Sequence, residues 1–152
     1  MKIKEASVAG FGILIVLLII IQFVPVTLTN PRVESDMPAP PDVKAVLKVS
    51  CYDCHSNETI WPWYSKVAPL SWLLANDAEE GRAKLNFSTW NRYNPEKQSQ
   101  SIAEAMNEIR KGGMPPWFYT IKHSGAKITL DKLKTLEAWY SQYPKPKPAQ
   151  GN

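Results

Sequence analysis

Apolar and polar positions fall into blocks along this chain, and each block predicts an element. The first is an apolar run from Ala6 to Val26, interrupted by Ser7 and Gln22 and ending at Pro25-Val26. About 20 consecutive apolar residues span the hydrocarbon core of a bilayer, so this run predicts a transmembrane helix. Residues 29–41 follow, with Pro31, Pro38, Pro40 and Pro41 among polar neighbours, a composition that predicts an extended tether.

Helical periodicity begins after the prolines. Asp42 opens a short helix with Val43, Val46 and Leu47 on one face, running into Cys51. A second helix is predicted from Pro69 to Arg82, ending around Gly81. Asn94-Pro95 is an N-cap followed by a first-turn proline, and opens a third helix. Its stripe is Ile102, Met106 and Ile109, and Gly112-Gly113 stops it. Thr129 caps a fourth, whose face is Leu130, Leu133, Leu136 and Trp139 or Tyr140. No alternating strand stands out, so the expected fold class is all-α. A second proline-rich stretch, residues 144–152, predicts a disordered tail.

The organisation that follows is a signal anchor or transmembrane helix at 1–28, a Pro-rich tether at 29–41, a helical domain at 42–143 and the tail. Lys2 and Lys4 stand on the short N-terminal side of the apolar run, which leaves that end in the cytoplasm and exports the rest. The residues after the run offer no small-x-small cleavage site, which favours an uncleaved anchor over a signal peptide. The net charge of +4 includes these two lysines and gives no argument for nucleic-acid binding.

The reactive residues are concentrated in Cys51-Tyr52-Asp53-Cys54-His55. This pentapeptide holds both cysteines of the chain and one of its two histidines. CxxCH is the spacing at which two thiols add to the two vinyl groups of a haem while the following imidazole becomes the proximal axial ligand. Three plainer readings compete with it. A redox dithiol normally sits in a βαβ context, which is missing here. Structural zinc takes four ligands, and the only other histidine, His123, stands alone. A Cys51–Cys54 disulfide closes too small a loop to contribute much. Six tryptophans also suit a flat cofactor, although core packing accounts for them equally well.

An iron held by His55 has a sixth position to fill. Met114 lies in Gly112-Gly113-Met114-Pro115-Pro116, where glycines let the backbone approach a flat ring and prolines fix the loop. Its thioether favours ferrous iron and raises the potential. Of its competitors, Met106 belongs to the helix stripe, Met37 lies in the tether, and His123 is the rival whose imidazole binds iron well.

CxxCH after a short helix, a Met-Pro loop and a last helix ending in aromatic residues together resemble a class I cytochrome c. More narrowly, Ser50 to Thr59, Trp61-Pro62-Trp63-Tyr64, Pro69, Leu85 to Trp90 and Gly112 to Pro115 are similar to the small membrane-anchored bacterial haem-binding domain family. Gln22 to Pro25 and Asn30-Pro31 match it as well, so the resemblance covers nearly the whole chain. It implies that the first and last domain helices cross, with Val43, Val46 and Leu47 on Leu133, Leu136, Trp139 and Tyr140. It also implies a proline carbonyl, from Pro62 or Pro69, accepting the His55 N–H. The chain departs from class I cytochromes in carrying Ala45-Val46-Leu47 in place of a Gly-aromatic pair. The Trp61 to Trp72 segment is an addition, suited to walling off a haem edge or to docking.

The function expected is a monohaem c-type cytochrome that carries single electrons. One haem c is bound covalently by Cys51 and Cys54, with His55 and Met114 as iron ligands. Its partners are redox proteins and, through the N-terminal helix, the membrane; neither nucleic acid nor a small-molecule substrate is expected. The location is the bacterial inner membrane, single-pass, with the haem domain facing the periplasm. No paired acid–base or triad set argues for catalysis. The alternative is a haem-based sensor, or a small haem peroxidase, whose distal ligand can be displaced.

Overall fold

A computed structural model describes residues 2–144. Among them there are seven α-helices and no strand: α1 Lys2–Ile20, α2 Pro41–Ser50, α3 Tyr52–His55, α4 Leu70–Lys84, α5 Pro95–Arg110, α6 Trp117–Lys122 and α7 Leu130–Tyr140. The all-α class expected from periodicity is the class observed.

Helix boundaries follow local chemistry. Asn94 accepts a hydrogen bond from the Lys97 amide at 2.8 Å, and Thr129 from Lys132 at 3.4 Å, so both expected N-caps close their helices. Gly112 takes φ 74°, the left-handed conformation that ends α5, and the next amide, Gly113 N–H, donates to Glu108 O at 2.9 Å. The second expected helix does not stop at Gly81 but runs on to Lys84. Its glycine serves a different purpose, described below.

The core lies where α2, α5 and α7 meet. Val43, Leu47, Ile102, Met106, Leu136 and Trp139 are buried together there, with Val46, Leu133 and Tyr140 packed against them. Tyr52, Leu85, Phe87 and Trp90 extend this cluster toward the attachment loop. The faces of α2 and α7 picked out by periodicity bury apolar surface, except that Leu130, expected on the α7 face, is exposed in the first turn of the helix.

The segment expected to be a tether is part of the domain wall. Met37 is completely buried. Glu34 and Ser35 amides donate to Ser88 O at 2.9 and 3.1 Å, Met37 N–H to Phe87 O at 2.9 Å, and Trp90 N–H to Ser35 O at 3.0 Å. Farther back, Gln22 pairs with both backbone groups of one residue: its Oε1 accepts from Ala68 N–H at 3.0 Å and its Nε2 donates to Ala68 O at 3.1 Å. Of the tail expected at 144–152, Pro144 accepts a hydrogen bond from Ser99 Oγ at 3.0 Å. Residues 145–152 lie outside the described residues.

The N-terminal expectation needs correction. Among the described residues no helix is long and apolar enough to cross a membrane, so the transmembrane helix expected within 1–28 is not observed. The apolar run does not fold as one helix. Pro25 forces the residue before it out of the α region, and Val24 is extended at φ −74°, ψ 116°. Ile21 to Phe23 form only a 3-10 turn, which leaves α1 at 19 residues, or about 28 Å at 1.5 Å per residue. Lys2, Lys4 and Glu5 occupy its first turns and shorten the uncharged part further.

Candidate functional site

The attachment loop is a continuation of α2. Cys51 N–H donates to Leu47 O at 2.9 Å, and His55 N–H to Cys51 O at 2.9 Å, so a second helical turn starts where the first ends. This places Cys51, Cys54 and His55 on the wall of one cavity of about 320 Å³. Both cysteines are free and half-buried. Burial pushes the Cys51 thiol up to about 12, with a smaller contribution from Cys54, and the Cys54 thiol up to about 11, with smaller ones from Asp77 and Asp53.

His55 is fixed by the C-terminal end of α4. Its Nδ1 lies 3.0 Å from Gly81 O and 3.0 Å from Leu85 O. A carbonyl oxygen only accepts, so Nδ1 carries the proton and Nε2 keeps its lone pair. Burial lowers the imidazole pKa against the raising effect of the two carbonyls, so the neutral, ligating form is the stable one. The expected proline acceptor is thus replaced by carbonyls of the α4 end; Pro62 and Pro69 do not serve. The close approach depends on Gly81. A Cβ there would stand 2.9 Å from the Cys54 carbonyl carbon and closer still to its oxygen. Phe87 completes the support, stacked on Tyr52 at 5.1 Å and tilted against the His55 ring at 6.3 Å.

Met114 lines the same cavity, with Pro115 and Pro116. The loop hangs from the end of α5, where Gly113 and Met114 amides both donate to Glu108 O, at 2.9 and 3.3 Å. Leu47, Leu85, Phe87, Ala105 and Ile109 supply an apolar wall, while Asp53, Asp77, Glu80, Glu104 and Glu108 bring carboxylates to it against one cation, Lys84. Asp77 is pushed up by burial and by Glu80 beside it. Two thiols at CxxC spacing, an imidazole with a defined free nitrogen, a thioether and apolar walls form a donor set that fits a haem.

The model for the haem-binding domain matches residues 16–142. The chain belongs to the haem-binding domain family. No curated protein and no solved structure matches it. In this haem-binding domain the other two methionines considered from sequence, Met37 and Met106, are both buried in the core cluster. Packing accounts for each.

His123 is brought to a different place. It lies on a second cavity of about 360 Å³ with Trp61, Trp63, Tyr64 and Phe118, and this cavity touches the first through Asp53, Cys54, Asp77, Pro116 and Tyr119. Its Nε2 is 3.0 Å from Tyr64 Oη, and its ring stacks on Tyr119 at 4.3 Å. The Trp61 to Trp72 segment supplies part of this second wall. Tyr119, unnoticed in the sequence, donates to Asp53 Oδ2 at 2.6 Å. Burial and the Asp53 carboxylate push its phenol well above the ordinary range, so it remains a donor.

Arg82 ties the loop to the N-terminal segment. Its guanidinium donates to Ser56 O, Thr29 O, Asn30 Oδ1 and Thr59 Oγ1, at 2.8, 2.9, 2.9 and 2.7 Å. A helical glycine facing a reactive loop was the one signal in the sequence that could have pointed to the α4 end. Arg82 and Tyr119 carried no such signal.

Proposed function

We propose that this haem-binding domain is a monohaem c-type cytochrome that carries single electrons between redox partner proteins. Cys51 and Cys54 hold one haem through thioether bonds, and His55 and Met114 take its two axial positions. The observation that carries this reading is the His55 environment: Nδ1 is occupied by Gly81 O and Leu85 O, while the ring shares a cavity with both thiols and Met114. When bound, the haem supplies a one-electron iron couple; the chain's own residues hold it and exclude water from it. The packing of α2 on α7 supports a likeness to class I cytochromes. Thioether attachment of this kind is made on exported polypeptide, so the reading carries a location outside the cytoplasm.

The test is an optical and redox titration of purified holoprotein with haem staining after denaturing electrophoresis. A low-spin spectrum with the Met–Fe(III) charge-transfer band, insensitive to carbon monoxide, is expected, and the stain disappears in Cys51→Ala with Cys54→Ala. Persistent covalent staining in that double variant would falsify the attachment. The second reading is a sensor with a displaceable ligand. Met114, 39% exposed on its loop, favours it, and high-spin iron that binds carbon monoxide readily would decide for it.

A further inference from the structure

We propose that Tyr119 is a positioning residue for Met114, acting through its hydrogen bond to Asp53. This rests on the reading of Met114 as an axial ligand. Asp53 stands between the two attachment cysteines, and its carboxylate is held on both oxygens: Oδ1 accepts from Ile60 N–H at 3.0 Å and Oδ2 from Tyr119 Oη at 2.6 Å. The bond therefore joins α6 to the attachment loop itself.

Three features make that joint decisive for Met114. First, α6 contains no buried residue, so little apolar burial holds it in place. Its position falls to polar contacts, chiefly Tyr119 with Asp53 and, through the stacked His123 ring at its end, Tyr64. Second, the chain between Met114 and Tyr119 has little slack. Pro115 and Pro116 have fixed φ, and α6 begins at Trp117. Third, the other end of the loop turns on Gly112, in the left-handed conformation, and is held by two amides on one carbonyl, Glu108 O. That end ties the Met114 backbone to α5 and leaves the far side of the loop to be held from α6. The Tyr119–Asp53 bond at the far end sets how far Met114 stands from the attachment loop and hence from His55.

The test is a titration of ferric holoprotein with free imidazole, which competes with the Met114 thioether, followed by the loss of the Met–Fe(III) band. Losing a hydrogen bond to a charged acceptor weakens the closed loop, so Tyr119→Phe is expected to raise the apparent imidazole affinity about tenfold and to lower the reduction potential, with haem still covalently attached. Asp53→Asn keeps one of the two oxygens and gives up the charge, so it is expected to fall between the parent protein and Tyr119→Phe. Asp53→Ala should raise the imidazole affinity at least as far as Tyr119→Phe, since it also leaves Ile60 N–H without its acceptor, and adding Tyr119→Phe to Asp53→Ala should change nothing further, because the shared bond is already lost. If Tyr119→Phe does not accumulate as holoprotein, Asp53→Ala removes the same bond from the other side and is titrated instead. An unchanged imidazole affinity in a variant whose parent shows the band overturns the inference, as do additive effects in the double variant. A parent protein with no Met–Fe(III) band overturns instead the axial reading on which the inference rests.

Discussion

His55 is joined to Gly81 by a contact of 3.0 Å between the imidazole Nδ1 and the glycine carbonyl oxygen. Glycine contributes twice at this point: its carbonyl orients the ring, and its missing side chain lets α4 lie against the Cys54 carbonyl. In an ordinary helix interior, Gly→Ala gains about 1 kcal/mol. Here the added methyl collides with backbone, so Gly81→Ala is expected to destabilise by about 1–3 kcal/mol and to reduce the yield of attached haem. The sign of the change in urea midpoint, measured on purified holoprotein, separates the two cases.

Met114→Ala and His123→Ala should differ sharply. Removing the thioether is expected to leave a folded protein with covalent haem, a lowered potential and an iron that binds carbon monoxide. Removing His123, which is engaged with Tyr64 on the neighbouring cavity, should leave the spectrum low-spin with its charge-transfer band intact. The reverse pattern, with His123→Ala altering spectrum and potential while Met114→Ala does not, makes His123 the distal ligand.

Arg82→Ala leaves four acceptors without their donor, two of them, Ser56 O and Thr59 Oγ1, partly buried beside the attachment loop. The expected loss is at least about 2 kcal/mol in a urea melt. Arg82→Lys should recover little of it, because a single ammonium does not reproduce the guanidinium fork.

Asp36 gives a pH dependence with a definite sign. Burial acts to raise its pKa, but hydrogen bonds from Lys44 and Tyr52 outweigh that and hold it below 3.8. A depressed carboxylate contributes stability above its unfolded value, and the contribution is lost as pH falls through the folded one. The stability gap between the parent protein and Asp36→Asn is therefore expected to be constant at neutral pH and to close below about pH 4. The carboxylate is 40% exposed, so the gap should be under about 1 kcal/mol. A gap that instead widens in acid rules this account out.

How much of this was legible in the sequence depended on which groups carried the information. Asn94-Pro95 and Thr129 announce helix starts because capping uses side chains within three residues, and both caps are found in place. The thiols, His55 and Met114 are rare residues in characteristic company, and the fold brings them to one cavity. The acceptors for His55 are main-chain carbonyls, which every residue has, so no residue type marked Gly81 or Leu85 for that role. Residues 29–41 looked unfit for a core because composition counts side chains, whereas 34–37 are held by backbone pairing with 87–90 that brings Met37 inside. The apolar run at the N-terminus predicts a span by its length and its flanking lysines, neither of which reports backbone conformation. The conformational effect of Pro25 on Val24 cut the helix short.

The pairing of Gln22 with Ala68 bears on how the haem-binding unit can be isolated. One side-chain amide reproduces, across 46 positions, the reciprocal donor–acceptor pattern of two strands. A truncation starting at residue 29, where the apolar run is over, strips that partner from the backbone N–H and C=O of Ala68, and the following Pro69 has no N–H of its own to offer. A truncation starting at residue 21 keeps it and discards α1. The practical edge of the unit thus lies inside the hydrophobic stretch, several residues before its last apolar side chain.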